Sequence, residues 1–196
     1  MESMNWWWLL IPASYVLGTF PTAHIVAGFV GHDPTAEGSG NPGASNVYRV
    51  AGARAGIIVL MGDLLKGLIP SLVCLLLDGR LLGLVAGLAA IVGHIAPITR
   101  KLNGGKGVAT LVGLSIVMYP FVAIGLLILW IPLMKLFRRA SIGSLVPVVI
   151  FPFGVLIMTA PPWYEVMIAG IISVIVTLRH YENIKRLFKG EEQAIE

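Results

Sequence analysis

The chain has 196 residues, a net charge of +4, 57% hydrophobic residues and only 12% charged ones, with a mean hydropathy of +0.86. A soluble domain carries about a quarter charged residues, so the composition excludes one and points to a polytopic helical membrane protein. The single cysteine, Cys74, excludes an internal disulfide and reads as packing in the apolar run LVCLLL.

The start, MESMNWWWLLIPASYV, has no positive n-region and no small-residue cleavage site. It reads as a retained first span anchored by interfacial tryptophans rather than a signal peptide. Apolar segments run from about Asn5 to Val30, Ala55 to Leu77, Leu81 to Ile98, Val108 to Met134, Ile142 to Thr159 and Trp163 to Leu178. At about 20 residues per crossing these give six helices.

The basic residues argue for seven. Arg49 and Arg54 follow the first span, and Arg100, Lys101 and Lys106 follow the third. Lys135, Arg138 and Arg139 follow the fourth segment, and Arg179, Lys185, Arg186 and Lys189 follow the last. Short basic loops stay cytoplasmic, so the chain must leave and return between Val108 and Met134. Tyr119-Pro120 supplies the turn, because proline disfavours a continuing helix. The competing reading is one long, proline-kinked span. We expect an all-α integral membrane protein with seven transmembrane helices, two of them short at about 107–118 and 120–137. Its N-terminus is outside, its C-terminus is cytoplasmic, and residues 1–196 form one transmembrane domain.

Three polar clusters then share the cytoplasmic face. GSGNPGASNVYR, Gly38 to Arg49, offers a glycine-rich turn, the hydroxyls of Ser39 and Ser45, the amides of Asn41 and Asn46, and the fork of Arg49. Successive backbone N–H groups in such turns form anion sites. The plain reading is a flexible loop with an interfacial arginine. GHIAPITRKLNGGKGVAT sets Gly104, Gly105 and Gly107 around Lys106 just before a helix start. That is a phosphate-binding composition, but not a Walker A loop, since Gly107 stands where Ser or Thr is required. His94 is either a packed helix-end histidine or part of this cluster. RHYENIKRLFKGEE puts His180 and Asn183 at i, i+3 on one helix face. His180 suits proton handling or substrate holding, while the neighbouring arginines suit positive-inside charge. Asp63 and Lys66, inside the second span, read first as a mutually paired strut and second as functional. Ser141 and Ser144 are placed to cap the next helix, and Ser144 alternatively faces a ligand.

Absences narrow the chemistry. No histidine has an aspartate five positions on, and the aspartate set of a CDP-alcohol phosphotransferase is missing. The ten acidic residues are scattered, so no metal cage and no cofactor are expected. A transporter or channel for a phosphorylated solute is the alternative class, but no inverted repeat supports it.

Taken in order, the three clusters, with DLLKG in the second span and SIGS after the basic loop, resemble the motifs of the bacterial acyl-phosphate:glycerol-3-phosphate acyltransferase (PlsY) family. Leu102 departs from the aromatic often found before the second motif's glycines. The resemblance covers nearly the whole chain. It implies a seven-helix inner-membrane enzyme of phospholipid synthesis whose active site faces the cytoplasm. The implied reaction moves a fatty acyl group from acyl phosphate to the 1-hydroxyl of glycerol 3-phosphate, giving lysophosphatidic acid and phosphate. Implied partners are acyl phosphate, glycerol 3-phosphate, membrane lipid and the upstream enzyme that forms acyl phosphate; no nucleic acid is implied. Family pattern and polar inventory together nominate Ser39, Arg49, Lys106, His180 and Asn183 as catalytic. Gly40, Asn41, Ser45, Asn46, Gly104, Gly105, Gly107 and Ser144 are nominated as substrate-binding. Either His180 or the donor's own phosphate takes the hydroxyl proton.

Overall fold

A computed structural model describes residues 6–194; the expected first-span start at Asn5 lies outside them. Among the described residues the regular structure is helical, with no strand. Two compact units are present, one ending at Met118 and one beginning at Tyr119.

In the first unit, a short 3-10 turn over Trp6–Leu9 leads into α1, Leu10–Gly18, and α2, Thr22–Phe29, follows after Pro21. The three leading tryptophans are exposed. The next helix, α3, runs from Ala44 to Ile95, 52 residues. Drawn straight it would measure about 78 Å, more than twice a bilayer's hydrocarbon thickness. It is broken instead at Gly52 (φ 85°) and at Asp78–Gly79 (Gly79 φ 81°), a left-handed geometry that glycine alone adopts without penalty. The second break falls between the two apolar segments that the sequence separates at Asp78.

The helix α4, Val108–Met118, has 11 residues, and α5, Pro120–Phe137, has 18. Tyr119 stands between them with non-helical angles, and Pro120 opens α5, where its missing N–H costs nothing. A helix boundary at Tyr119-Pro120, as the sequence reading expects, is present. By length and composition, the stretches Trp6–Phe29, Ala44–Arg100, Pro120–Phe137 and Ala140–Thr159 can each cross a membrane. The bent pair Trp163–Arg179 and Tyr181–Lys189 can be a fifth.

Small residues bring the first unit's helices together. A Cβ on Gly67 would run into the Thr110 carbonyl oxygen of α4, and one on Gly113 into the Leu64 carbonyl oxygen. Gly18 and Gly93 do the same where α1 crosses the last part of α3, against Ala90 and Tyr15 carbonyls. In lipid, where helix association gains little from the hydrophobic effect, such close backbone approach is the main source of packing energy.

The second unit packs α5 with α6, Ala140–Thr159, and α7, Trp163–Arg179; a short α8, Tyr181–Lys189, turns away by 56°. Its core holds Tyr119, Val122, Phe151, Val155 and Ile172. Tyr119 meets Phe151 edge to face at 6.0 Å and donates its hydroxyl to buried Glu165 at 2.8 Å. Ser173 donates to the Val148 carbonyl at 2.9 Å, tying α7 to α6. Ser141 and Ser144 lie inside α6 rather than capping it: the N-cap is Arg139, which makes no side-chain capping bond.

Replacing Gly67 by Val puts two methyls into the α4 backbone, so the helices must part. We expect a loss of about 1–3 kcal/mol, read as a lower thermal unfolding midpoint in detergent; an unchanged midpoint would disprove the tight crossing.

Candidate active site

The opening loop of the first unit is ordered by its own side chains. Asp33 accepts from the Thr35 hydroxyl and amide, while Glu37 accepts from His32 Nδ1 at 2.8 Å and from the Asp33 amide. These bonds hold the exposed Asp33 carboxyl below its usual range, the Thr35 hydroxyl contributing most. Asn46, only 2% exposed, is the staple. Its Nδ2 donates to the Pro34 and Glu37 carbonyls at 2.9 and 3.0 Å. Its Oδ1 accepts from the Ser39 amide at 2.8 Å and lies 3.5 Å from Arg49 Nη1. An amide has two N–H groups and two lone pairs, so this residue's capacity is engaged within the loop. What the loop presents outward is Ser39, Gly40, Ser45 and Arg49, all exposed, with Asn41 half-buried.

Glycines of the second cluster pack closely against the end of α3. Gly104 and Gly105 donate their amides to the Ile95 and His94 carbonyls, both at 3.1 Å. Those carbonyls end α3 and have no partner inside the helix. A Cβ on Gly104 would strike the His94 carbonyl oxygen, and one on Gly105 the His94 Nε2. The loop is therefore laid directly on His94, and Lys106 projects from it half-buried, with Gly107 at φ 87° leading into α4.

Beneath His94 lies a buried charged network. Lys66 Nζ donates to Asp63 Oδ1 at 2.6 Å, and His94 Nδ1 stands 3.6 Å from the same oxygen. Thr110 Oγ1 donates to the Asp63 carbonyl at 3.0 Å. The pairing of Asp63 with Lys66 is the strut read from their spacing. Its link to His94, and through His94 to the glycine loop, joins positions 31 residues apart and has no local sequence signal. The first two clusters do meet, because Pro42 and Gly105 border one polar cleft.

The third cluster belongs to the second unit. His180, 1% exposed, sits at the bend between α7 and α8 with Nδ1 2.7 Å from the Val176 carbonyl oxygen. A carbonyl only accepts, so Nδ1 carries a proton, and in the neutral ring this leaves the lone pair on Nε2. Asn183 donates from Nδ2 to Glu192 Oε1 at 2.6 Å, and Arg186 Nε donates to Glu192 Oε2 at 2.8 Å. Arg139 Nε reaches the Glu192 backbone carbonyl at 3.1 Å. Burial works against the charge on Glu192, but the hydrogen bonds from Asn183 and Arg186 outweigh it and hold the carboxyl below its ordinary value. Glu192, which the sequence reading leaves unassigned, thus fixes Asn183. Ser144 is half-buried on α6.

Residues 8–190 match the family model described as glycerol-3-phosphate acyltransferase. The glycerol-3-phosphate acyltransferase of Methylococcus capsulatus (strain ATCC 33009 / NCIMB 11132 / Bath) is 41% identical over 94% of this chain and 94% of its own length. That of Geobacter sulfurreducens (strain ATCC 51573 / DSM 12127 / PCA) is 40% identical over 94% of this chain and 95% of its own. Among solved structures, the glycerol 3-phosphate form of PlsY (YgiH), an integral membrane glycerol 3-phosphate acyltransferase, superposes with a TM-score of 0.91. It is 32% identical, over 96% of this chain and 94% of that one. Its lysophosphatidic acid form gives 0.88 at the same identity.

A lowered carboxyl stabilises the fold fully above its ordinary value, and the contribution is lost as pH falls below that value through the lowered one. We expect hydrogen-exchange protection factors across 181–192 to fall as the pH drops below about 4.5. In Glu192→Gln this acid step disappears; an identical pH response in the variant would rule out the clamp.

Proposed function

The chain belongs to the glycerol-3-phosphate acyltransferase family, and from that premise we propose how its residues carry the reaction. It is a membrane acyltransferase of phospholipid synthesis, which sets aside the carrier for a phosphorylated solute. In our reading the donor is acyl phosphate and the acceptor is the 1-hydroxyl of glycerol 3-phosphate. The hydroxyl oxygen bonds to the acyl carbonyl carbon, the carbon–oxygen bond to phosphate breaks, and phosphate departs with the electron pair. Lysophosphatidic acid and inorganic phosphate result. The leaving group is good, so no covalent acyl-enzyme is required, and the protein's work is positioning and charge stabilisation.

We assign Arg49 and Lys106 to the substrate phosphates, with Ser39, Gly40, Asn41 and Ser45 donating from the opening loop. Asn46 holds that loop in shape, as its hydrogen bonds indicate. Gly104, Gly105 and Gly107 let the Lys106 loop lie close on α3 and aim the ammonium. His180 takes the hydroxyl proton on Nε2, Asn183 orients substrate beside it, and Ser144 adds a donor from α6. The Nδ1 bond to Val176 supports the basic role, because it fixes the tautomer that such a role needs. The donor's phosphate is the alternative proton acceptor.

We further read residues 1–196 as one acyltransferase domain with seven passes, an outside N-terminus and a cytoplasmic active site in a bacterial inner membrane. The breaks at Asp78–Gly79 and Tyr119 supply the two extra turns, and the basic loops supply the orientation. The upstream enzyme that forms acyl phosphate is the expected neighbour. One observation carries the reading: the family match spans 8–190 and so includes all three polar clusters.

The direct test supplies purified protein in lipid with glycerol 3-phosphate and either acyl phosphate, acyl-CoA or acyl carrier protein. Lysophosphatidic acid should form from acyl phosphate alone; formation from a thioester alone would refute the donor. For the proton acceptor, His180→Asn should lower the rate by about 10²-fold or more and abolish the limb near neutral pH. A pH–rate profile of unchanged shape would transfer the base role to the donor phosphate.

A further inference from the structure

The first turn of α2 faces the buried network across the polar cleft. Thr22, Ala23 and His24 form one wall, and Asp63, Lys66, His94, Arg100 and Gly105 form the other. The sequence reading gives Thr22, His24 and Arg100 no part in the reaction. Two polar atoms on these walls are buried without a hydrogen-bond partner: the Thr22 hydroxyl, on a residue 8% exposed, and Arg100 Nε. A buried donor left unpaired costs about 1–3 kcal/mol, so two beside one cleft call for a ligand that accepts.

The surrounding charge says which kind. Asp63 is matched by Lys66, so Arg100 leaves the walls one positive charge in excess. The α2 N-terminus adds the positive end of its dipole. A guanidinium, a hydroxyl, an ammonium and a helix start on one cleft form a donor set suited to a phosphate dianion. We propose that this cleft is a phosphate-binding subsite, in which Arg100 and Thr22 bind the oxygens directly and the Asp63–Lys66 pair fixes the floor. The same chemistry serves the donor's phosphate, released as inorganic phosphate, or the phosphate of the acceptor. Only that choice of source rests on the reaction proposed above.

The probe is inorganic phosphate, titrated into the full chain in nanodiscs and followed by ³¹P NMR. Loss of one charge-assisted contact should weaken binding about tenfold in Arg100→Gln, and the near-isosteric Thr22→Val should weaken it by a smaller factor. Wild-type affinity in both variants, or no phosphate binding by the unaltered protein, would overturn the subsite. Steady-state KM values for the same variants name the source. A rise confined to acyl phosphate assigns the cleft to the donor, and a rise confined to glycerol 3-phosphate assigns it to the acceptor. Unaltered KM for both would remove the cleft from the reaction and overturn the proposal. Failure of the wild-type chain to make lysophosphatidic acid, with phosphate binding intact, would refute the reaction and leave the subsite standing.

Discussion

Asp63 and Lys66 lie three residues apart on α3, their side chains 3% and 6% exposed, in a segment apolar enough to span a bilayer. Withdrawing two charges from water is expensive, and their attraction repays it only when further hydrogen bonds complete the site. That requirement organises the first unit. Thr110 of α4 bonds to the Asp63 carbonyl, His94 at the far end of α3 comes within 3.6 Å of the carboxylate, and the Lys106 loop lies on His94. Removing one member of such a pair typically costs about 3–5 kcal/mol, because the other remains buried and charged. The pair and the Asp63 backbone carbonyl thus stand where α3, α4 and the Lys106 loop meet.

Satisfaction of backbone groups works alongside the charge pair. Hydrocarbon offers no water to the open end of a helix, so each interruption needs partners from the protein. The end of α3 finds them in the amides of Gly104 and Gly105, and Asn46 serves the carbonyls of the opening loop in the same way. These loops are tied by internal hydrogen bonds and leave side chains such as Ser39 and Arg49 exposed.

Much of this was legible in the chain itself, and the limit follows distance along it. Tyr119-Pro120 and Asp78-Gly79 mark breaks because φ restriction and a missing N–H act within one or two residues. The i, i+3 spacing gives the Asp63–Lys66 pair, whereas His180 stands at the bend between α7 and α8 rather than on one helix face with Asn183. The glycines of GGKG were visible as a cluster, but their packing against His94 was not, since a glycine looks the same whether a ligand or a backbone presses on it. The engagement of Asn46 within its loop, the hold of Glu192 on Asn183 and the cleft of Thr22 and Arg100 were likewise hidden. Each depends on where a tail or a second helix comes to rest.

Tyr15 carries a consequence of another kind. Its hydroxyl donates to the Ala96 carbonyl at 2.9 Å and accepts from the Ile98 amide at 3.1 Å, a clasp across 81 and 83 positions. At ribosomal speeds of about 5–20 residues per second, that span takes roughly 4 to 16 s to synthesise. During this interval α1 exists without the groups that latch it. Its first partners must be lipid or the insertion machinery, and it takes its final seat only after the far end of α3 has been delivered to the membrane.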